Sequence, residues 1–322
     1  MTPLQANQTE LEFIKCNLCG SEDTRPVKEI DGWHIVSCGR CGFCFLNPRP
    51  IQVEQVYEKV DESRWHRRES QDSRPRELFF SGQLKAIEKA LGPVNGGRCI
   101  LDFGCGTGQF LDVALARGWE THGLEPDPLT ETIEARGHKT YIGQLQEVEI
   151  EEAYFDAVFC SAVFEHLHNP ATQLQSLFEI IKPGGVLLIT SVPNFGSATI
   201  RMNIANFYAN SPPGDVNFFT PKSMAKMVEA NGFQVLRATS YGLDYNSFIK
   251  RRHPGPVPED IARSGERAPA VPVVEPEEEG RTGRGMSASV PTAALRLGVG
   301  LYQHIGFFGL GSKIFLMAGR PS

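Results

Sequence analysis

The chain runs to 322 residues, 41% of them hydrophobic, with a formal net charge of −6 at neutral pH. At roughly 100–200 residues per domain, that length and apolar content suit one large domain or a domain with an appendage. The acidic balance argues against a general nucleic-acid surface, which needs clustered Lys and Arg. Arg64, Arg67, Arg68, Arg74 and Arg76 are the local exception. The opening Met1–Glu10 is polar, and no apolar run reaches the ~20 residues of a membrane span, so the expected location is the cytoplasm. Of eight cysteines, four fall in two C-x-x-C pairs and the rest in or beside apolar strands, a usage suited to a reducing compartment.

In chain order the first element is an array of two knuckles, Cys16-Asn17-Leu18-Cys19-Gly20 and Cys38-Gly39-Arg40-Cys41-Gly42. In each, a tight turn lets two thiolates share one tetrahedral metal. Cys16, Cys19, Cys38 and Cys41 are therefore candidate ligands of one Zn²⁺ in a ribbon over residues 1–50. A closed four-sulfur site leaves no open position for water, which makes that zinc structural. Cys44 is a fifth thiol that either replaces Cys41 or, the preferred reading, packs as a small apolar residue. Trp33-His34-Ile35-Val36 reads as a ribbon strand with His34 on its surface.

Residues 51–95 are polar and helical from Gln52 to about Leu91. The preferred reading is a linker packed on the core. The alternative is a lid that brings Tyr57 or Arg64, Arg67 and Arg68 over a pocket, where guanidinium forks hold phosphate or carboxylate.

Over 96–250, apolar runs near 98–103, 119–124, 139–142, 155–161, 185–191 and 233–240 alternate with helical patterns. That alternation predicts an α/β, doubly wound, mostly parallel sheet with helices on both faces and ligands at the carboxyl ends of the strands. The first of these runs leads into Asp102-Phe103-Gly104-Cys105-Gly106-Thr107-Gly108. Alternate glycines at a strand-to-helix turn let backbone press against a ligand. The spacing G-x-G-x-G differs from the G-x-G-x-x-G of dinucleotide sites. Asp102 can face an ammonium group, and Glu125, closing the second strand in Gly123-Leu124-Glu125-Pro126-Asp127, can accept both hydroxyls of a ribose.

With Phe155-Asp156-Ala157-Val158-Phe159-Cys160-Ser161, Phe164-Glu165-His166-Leu167 and Ile181-Lys182-Pro183-Gly184-Gly185 following in order, the chain resembles the class I S-adenosylmethionine-dependent methyltransferases over roughly 96–245. The resemblance implies a seven-stranded Rossmann-like fold whose last strand enters antiparallel beside the sixth. It also implies donor contacts at Asp102, Gly104, Gly106, Gly108, Glu125, Pro126 and Ser161. Gln144 and Leu145 stand where the family contacts adenine, although Gln144 replaces a frequent acid.

Methyl transfer to a hydroxyl or acidic C–H requires a base. His166, after the fourth strand, is the candidate general base, against a plain packing role beside the cofactor. Glu165 either orients the imidazole or faces the methionine end of the donor, and His168 is expected at the surface. Some relatives complete a magnesium site with an acid three residues before the Glu and a later His. Here the first position is Ala162, and the second region reads Asp215-Val216-Asn217-Phe218-Phe219-Thr220, so a catalytic metal is not expected. A zinc ribbon before such a core resembles bacterial enzymes of sugar and cell-envelope biosynthesis, which favours a small-molecule or glycan-type acceptor: a sugar, a lipid-linked sugar or a quinone-like compound. The alternatives are a cofactor-binding scaffold that docks a partner and, third, a nucleic-acid methyltransferase.

Residues 251–290 are rich in Pro and Glu and read as a flexible insertion. In 291–322, an apolar helix over Thr292–Leu310 precedes a strand over Ser312–Ala318 that completes the sheet. The helix is too short and too interrupted by Arg296 to span a bilayer. Burial in the core or at a dimer contact is preferred over peripheral membrane contact.

Overall fold

The computed structural model describes residues 10–30, 32–51, 74–93, 97–126, 130–201, 212–242 and 310–322. Tyr57, Arg64, Arg67 and Arg68, the 251–290 insertion, and the Thr292–Leu310 helix except Leu310 lie outside these residues. Among the described residues, no helix is long and apolar enough to cross a membrane.

The N-terminal part holds five short strands: Leu11–Glu12 (β1), Thr24–Ile30 (β2), Trp33–Cys38 (β3), Cys44–Leu46 (β4) and Arg49–Pro50 (β5). β1 pairs with β5, while β2, β3 and β4 form an antiparallel meander. His34 stands exposed on β3 near Glu29, at 3.8 Å.

The helix Arg74–Leu91 (α1) then leads into alternating elements. They are Arg98–Phe103 (β6), Gln109–Leu115 (α2), Trp119–Glu125 (β7), Thr130–Glu134 (α3), Lys139–Ile142 (β8), Phe155–Ser161 (β9), Pro170–Ile180 (α4) and Ile181–Pro193 (β10). After these come Ala198–Arg201 (α5), Asn217–Phe218 (β11), Pro221–Ala230 (α6), Gln234–Tyr241 (β12) and Lys313–Gly319 (β13). The large sheet has the order β12-β13-β10-β9-β6-β7-β8, and only β13 runs antiparallel to its neighbours.

Successive strand residues point to opposite faces, so each central strand buries both sets. Ile100, Phe159 and Leu188 join Leu84, Ile87 and Phe110 beneath α1 and α2. Leu101, Val158 and Leu187 join Leu174 and Leu177 of α4 and Met224, Met227 and Val228 of α6 on the other face. Thr220 starts α6 with a capping box, its hydroxyl accepting from Ser223 N at 3.1 Å while Thr220 N donates to Ser223 Oγ at 2.9 Å. Arg320, just past β13, donates to the carbonyls of Phe178 and Glu179 at the end of α4, at 2.6 and 3.0 Å, and to that of Ile181, the first residue of β10, at 2.6 Å.

α1 packs on the core through Leu84 and Ile87. Phe80 meets Phe110 edge-on at 5.9 Å, and Arg76 donates to Gln109 Oε1 at 2.8 Å, at the start of α2. The cysteine-bearing meander shares the sheet's core: Cys16, Val36, Cys38, Phe43 and Phe45 belong to the same apolar cluster as Phe219 and Met224. The Phe43 ring lies 5.1 Å from that of Phe219. Each fully buried ring of this kind contributes roughly 1.5–3 kcal/mol. β11, which precedes α6, lies outside the large sheet and adds to β4, making the small sheet four-stranded.

Candidate active site

The turn after β6 takes left-handed backbone at each alternate glycine, with φ of 78° at Gly104, 50° at Gly106 and 76° at Gly108. A Cβ on Gly104 would sit 2.4 Å from Val163 Cγ2, because this turn presses against the segment after β9. A Cβ on Gly106 would meet nothing within 4 Å, so that glycine borders open space. Gly106 N donates to Glu125 Oε2 at 2.8 Å, tying the end of β7 across the turn. Asp102 is 3% exposed, and burial, with Glu125 beside it, pushes its carboxyl well above the usual range. Two neighbouring carboxylates, one of them buried, make a site that a cationic ligand relieves.

Among the other expected contact residues, Ser161 is half-buried at the end of β9 and Pro126 is exposed just after β7. Leu145 is buried in the core cluster, and Gln144 is exposed with its backbone N–H on Glu147 Oε2 at 2.9 Å. The structure thus brings Asp102, the glycines and Glu125 together, with Gln144 and Leu145 beyond the end of β8.

The second half of the site follows β9. Ala162 is exposed and left-handed at φ 56°, a conformation that costs a non-glycine residue about 1–3 kcal/mol and clusters where function over-determines the backbone. His166 Nδ1 lies 2.9 Å from Gly214 O and 3.2 Å from Asp215 Oδ1. A carbonyl oxygen only accepts, so Nδ1 carries the proton, and the neutral ring has its lone pair on Nε2. The His166 side chain is 33% exposed, whereas that of Asp215 is 9% exposed. Glu165 is buried, and desolvation, reinforced by Asp215 and opposed by His166, pushes its carboxyl up to about 7. Its Oε1 is 4.0 Å from His166 Nε2, and Oε2 has no hydrogen-bond partner among the described residues.

Of the two roles open to Glu165, the contact at Nδ1 that orients the imidazole comes from Asp215, while Glu165 lies on the Nε2 side. Sequence reasoning saw Asp215 only as the region where a histidine was missing. No local signal marks it, because Gly214 and Asp215 reach His166 from a distant segment. His168, expected at the surface, is half-buried under the cysteine-bearing meander, its carbonyl accepting from Arg49 Nη1 at 2.7 Å and Asn17 Nδ2 at 3.1 Å.

A family profile described as a methyltransferase domain matches residues 67–238, more than half of the chain. The chain belongs to that methyltransferase family. Over 174 residues it is 30% identical to a ubiquinone biosynthesis O-methyltransferase of Rattus norvegicus, covering 48% of this chain and 49% of that protein. A protein of the same name from Homo sapiens is 31% identical over 170 residues, with 47% and 45% covered, and one from Shewanella is 28% identical over 170 residues, with 50% and 66% covered. The chain thus spans about half the length of these mammalian relatives.

This methyltransferase also carries the cysteine array as a physical cluster. One ligand atom from each of Cys16, Cys19, Cys38 and Cys41 lies within 4.8 Å of the others, with Sγ separations of 3.5 Å for Cys16–Cys41 and for Cys19–Cys38. Tetrahedral zinc with bonds of ~2.3 Å spaces its sulfurs by roughly 3.8 Å, so the set fits that ion. Cys44 packs instead with the Ile35, Leu46 and Phe218 cluster. A second trio, Cys99, Glu120 and His122, lies at the opposite end of the sheet. There Glu120 Oε1 already takes Lys139 Nζ at 2.6 Å and Tyr154 Oη at 3.2 Å.

Proposed function

We propose that this chain transfers a methyl group from S-adenosylmethionine to a hydroxyl of a small, quinone-like acceptor, with His166 as general base and a structural Zn²⁺ on Cys16, Cys19, Cys38 and Cys41. The observation that carries the reading is the commitment of His166 Nδ1 to Gly214 O and Asp215, which leaves Nε2 as the basic atom of a partly exposed ring. The similarity to ubiquinone biosynthesis O-methyltransferases supports a quinone-like acceptor over a glycan. In this reading residues 1–50 form the zinc ribbon, and 96–250 with 291–322 form the catalytic unit.

Asp102 and Glu125 would hold the donor, Asp102 the ammonium and Glu125 the ribose hydroxyls, with the backbone at Gly106 beside it. When bound, the donor supplies an electrophilic methyl on a sulfonium. His166 Nε2 would accept the acceptor's hydroxyl proton as the oxygen takes the methyl, the sulfur–methyl bond breaking to leave a neutral thioether, and Asp215 would stabilise the imidazolium that forms. A base placed this way contributes about 10²–10⁴-fold.

The test is incubation with labelled donor and two probe acceptors, a dihydroxybenzoate and a nucleotide sugar. Label on a phenolic oxygen is expected. Label on the sugar would move the acceptor to the glycan class, and donor binding without transfer to either would favour the scaffold reading.

A further inference from the structure

We propose that the cysteine ribbon is a positioning part of the acceptor side: through Asn17 and the β4–β11 pairing it holds the segment that places Glu165, His166 and Asp215. This rests on the proposed role of His166. β11 is only two residues long, and a strand of that length has no stability of its own. Its sheet partner is β4, with Asn217 opposite Phe45 and Phe218 opposite Cys44, and Leu46 N donates to Val216 O at 2.9 Å. On its other side, Val216 N and Asn217 N both donate to Glu165 O, at 2.9 and 3.0 Å.

The Asn217 side chain, 2% exposed, makes the second set of links. Its Nδ2 donates to Phe164 O at 3.1 Å and Leu167 O at 2.6 Å. Its Oδ1 lies 3.4 Å from Asn17 Nδ2, in the middle of the first knuckle, and the same Nδ2 reaches His168 O. Arg49 adds its bond to His168 O. The carbonyls of residues 164, 165, 167 and 168 are therefore all held from the ribbon or from the strand the ribbon recruits. Asp215 stands two residues before Asn217, so its distance to His166 is set by the same register. The glycine turn, by contrast, is tied to Leu124 and Glu125 of the neighbouring strand. Loss of the knuckle should release the acceptor side and spare the donor side.

The first arm uses the full chain, zinc-loaded and then chelator-stripped, without any acceptor. Hydrogen-exchange protection of the Val216 and Asn217 amides is expected to drop at least about tenfold on stripping, while Gly104 and Gly106 keep theirs, and zinc restores the loss. Donor affinity by calorimetry should stay within about twofold, since those contacts are untouched. The second arm uses Asn17→Ala, which keeps all four cysteines: one zinc per chain should remain, with kcat down about tenfold and the donor KM unchanged. Unaltered protection at residues 216 and 217 after stripping would overturn the proposal, as would protection lost equally at the glycine turn or the absence of zinc from protein made in zinc-replete medium. Because the exchange arm needs no turnover, a chain that methylates nothing would remove the proposed function while leaving this result readable.

Discussion

The two halves of the site are built in opposite ways. On the donor side, Asp102, the glycines and Glu125 come from two adjacent parallel strands, and the bond from Gly106 to Glu125 spans 19 residues. On the acceptor side, His166 meets Gly214 across 48 residues, Asn17 meets His168 across 151, and Asn17 meets Asn217 across 200. Local construction ties the donor pocket's own hydrogen bonds to one pair of neighbouring strands, with Val163 packed against Gly104 as the contact between the two halves. Long-range construction makes the acceptor side depend on several segments at once, so it is the half that an appended module can control.

The largest expected effect that would break this contrast is on turnover. His166→Ala should lower methyl transfer by about 10²–10⁴-fold and leave calorimetric donor affinity unchanged. A fall in donor affinity of similar size would show that the two halves are not separable.

Next comes a pH effect on the acceptor side. Glu165 has its carboxyl raised to about 7 in the folded chain from an ordinary 4.5. Such an acid favours folding below the unfolded value, and the advantage is lost as pH rises through about 7. At about pH 8 the buried charge therefore costs up to about 3 kcal/mol. Glu165→Gln should raise the thermal midpoint by several degrees at that pH and hardly at all near pH 4.5, measured by calorimetric melting. An equal rise at both ends would mean that the carboxyl is not raised.

On the donor side, Gly106→Val places a branched side chain on left-handed backbone and into the open space, while Glu125→Ala removes the carboxylate across the turn. Each should weaken donor binding by at least about tenfold without loosening the ribbon's zinc. Unchanged affinity in both variants would displace the donor from this turn.

The smallest expected effect sharpens the acceptor side alone. Thr220→Ala removes the cap that starts α6 just beyond β11, and should cost about 0.5–2 kcal/mol in chemical denaturation with donor affinity unaltered.

Legibility in the sequence follows the same divide. Strand-to-helix alternation and the glycine turn are local patterns, and β6, β8 and β9 stand at the predicted 98–103, 139–142 and 155–161. The antiparallel last strand came from the family resemblance, and β13 takes that place. The four cysteines were legible because their spacing is itself a geometry. Asp215 and Asn217 were not, since neither sits in a motif and both matter only once β11 pairs with β4 of the small sheet. His168, expected at the surface, differs for the same reason: only the fold places Arg49 and Asn17 over its carbonyl.

The position of β13 bears on how the chain is assembled. It lies between β10 and β12 and pairs with both, yet it follows β12 only after the long stretch from Tyr241 to Lys313. Until Lys313–Gly319 arrive, β10 and β12 face each other across a gap one strand wide, with hydrogen-bonding edges open. Closing it is a late, non-local step, slow for entropic reasons and exposed to edge-to-edge association with other copies. A chain stopped before Lys313 would present two sticky edges and accumulate as aggregate during synthesis.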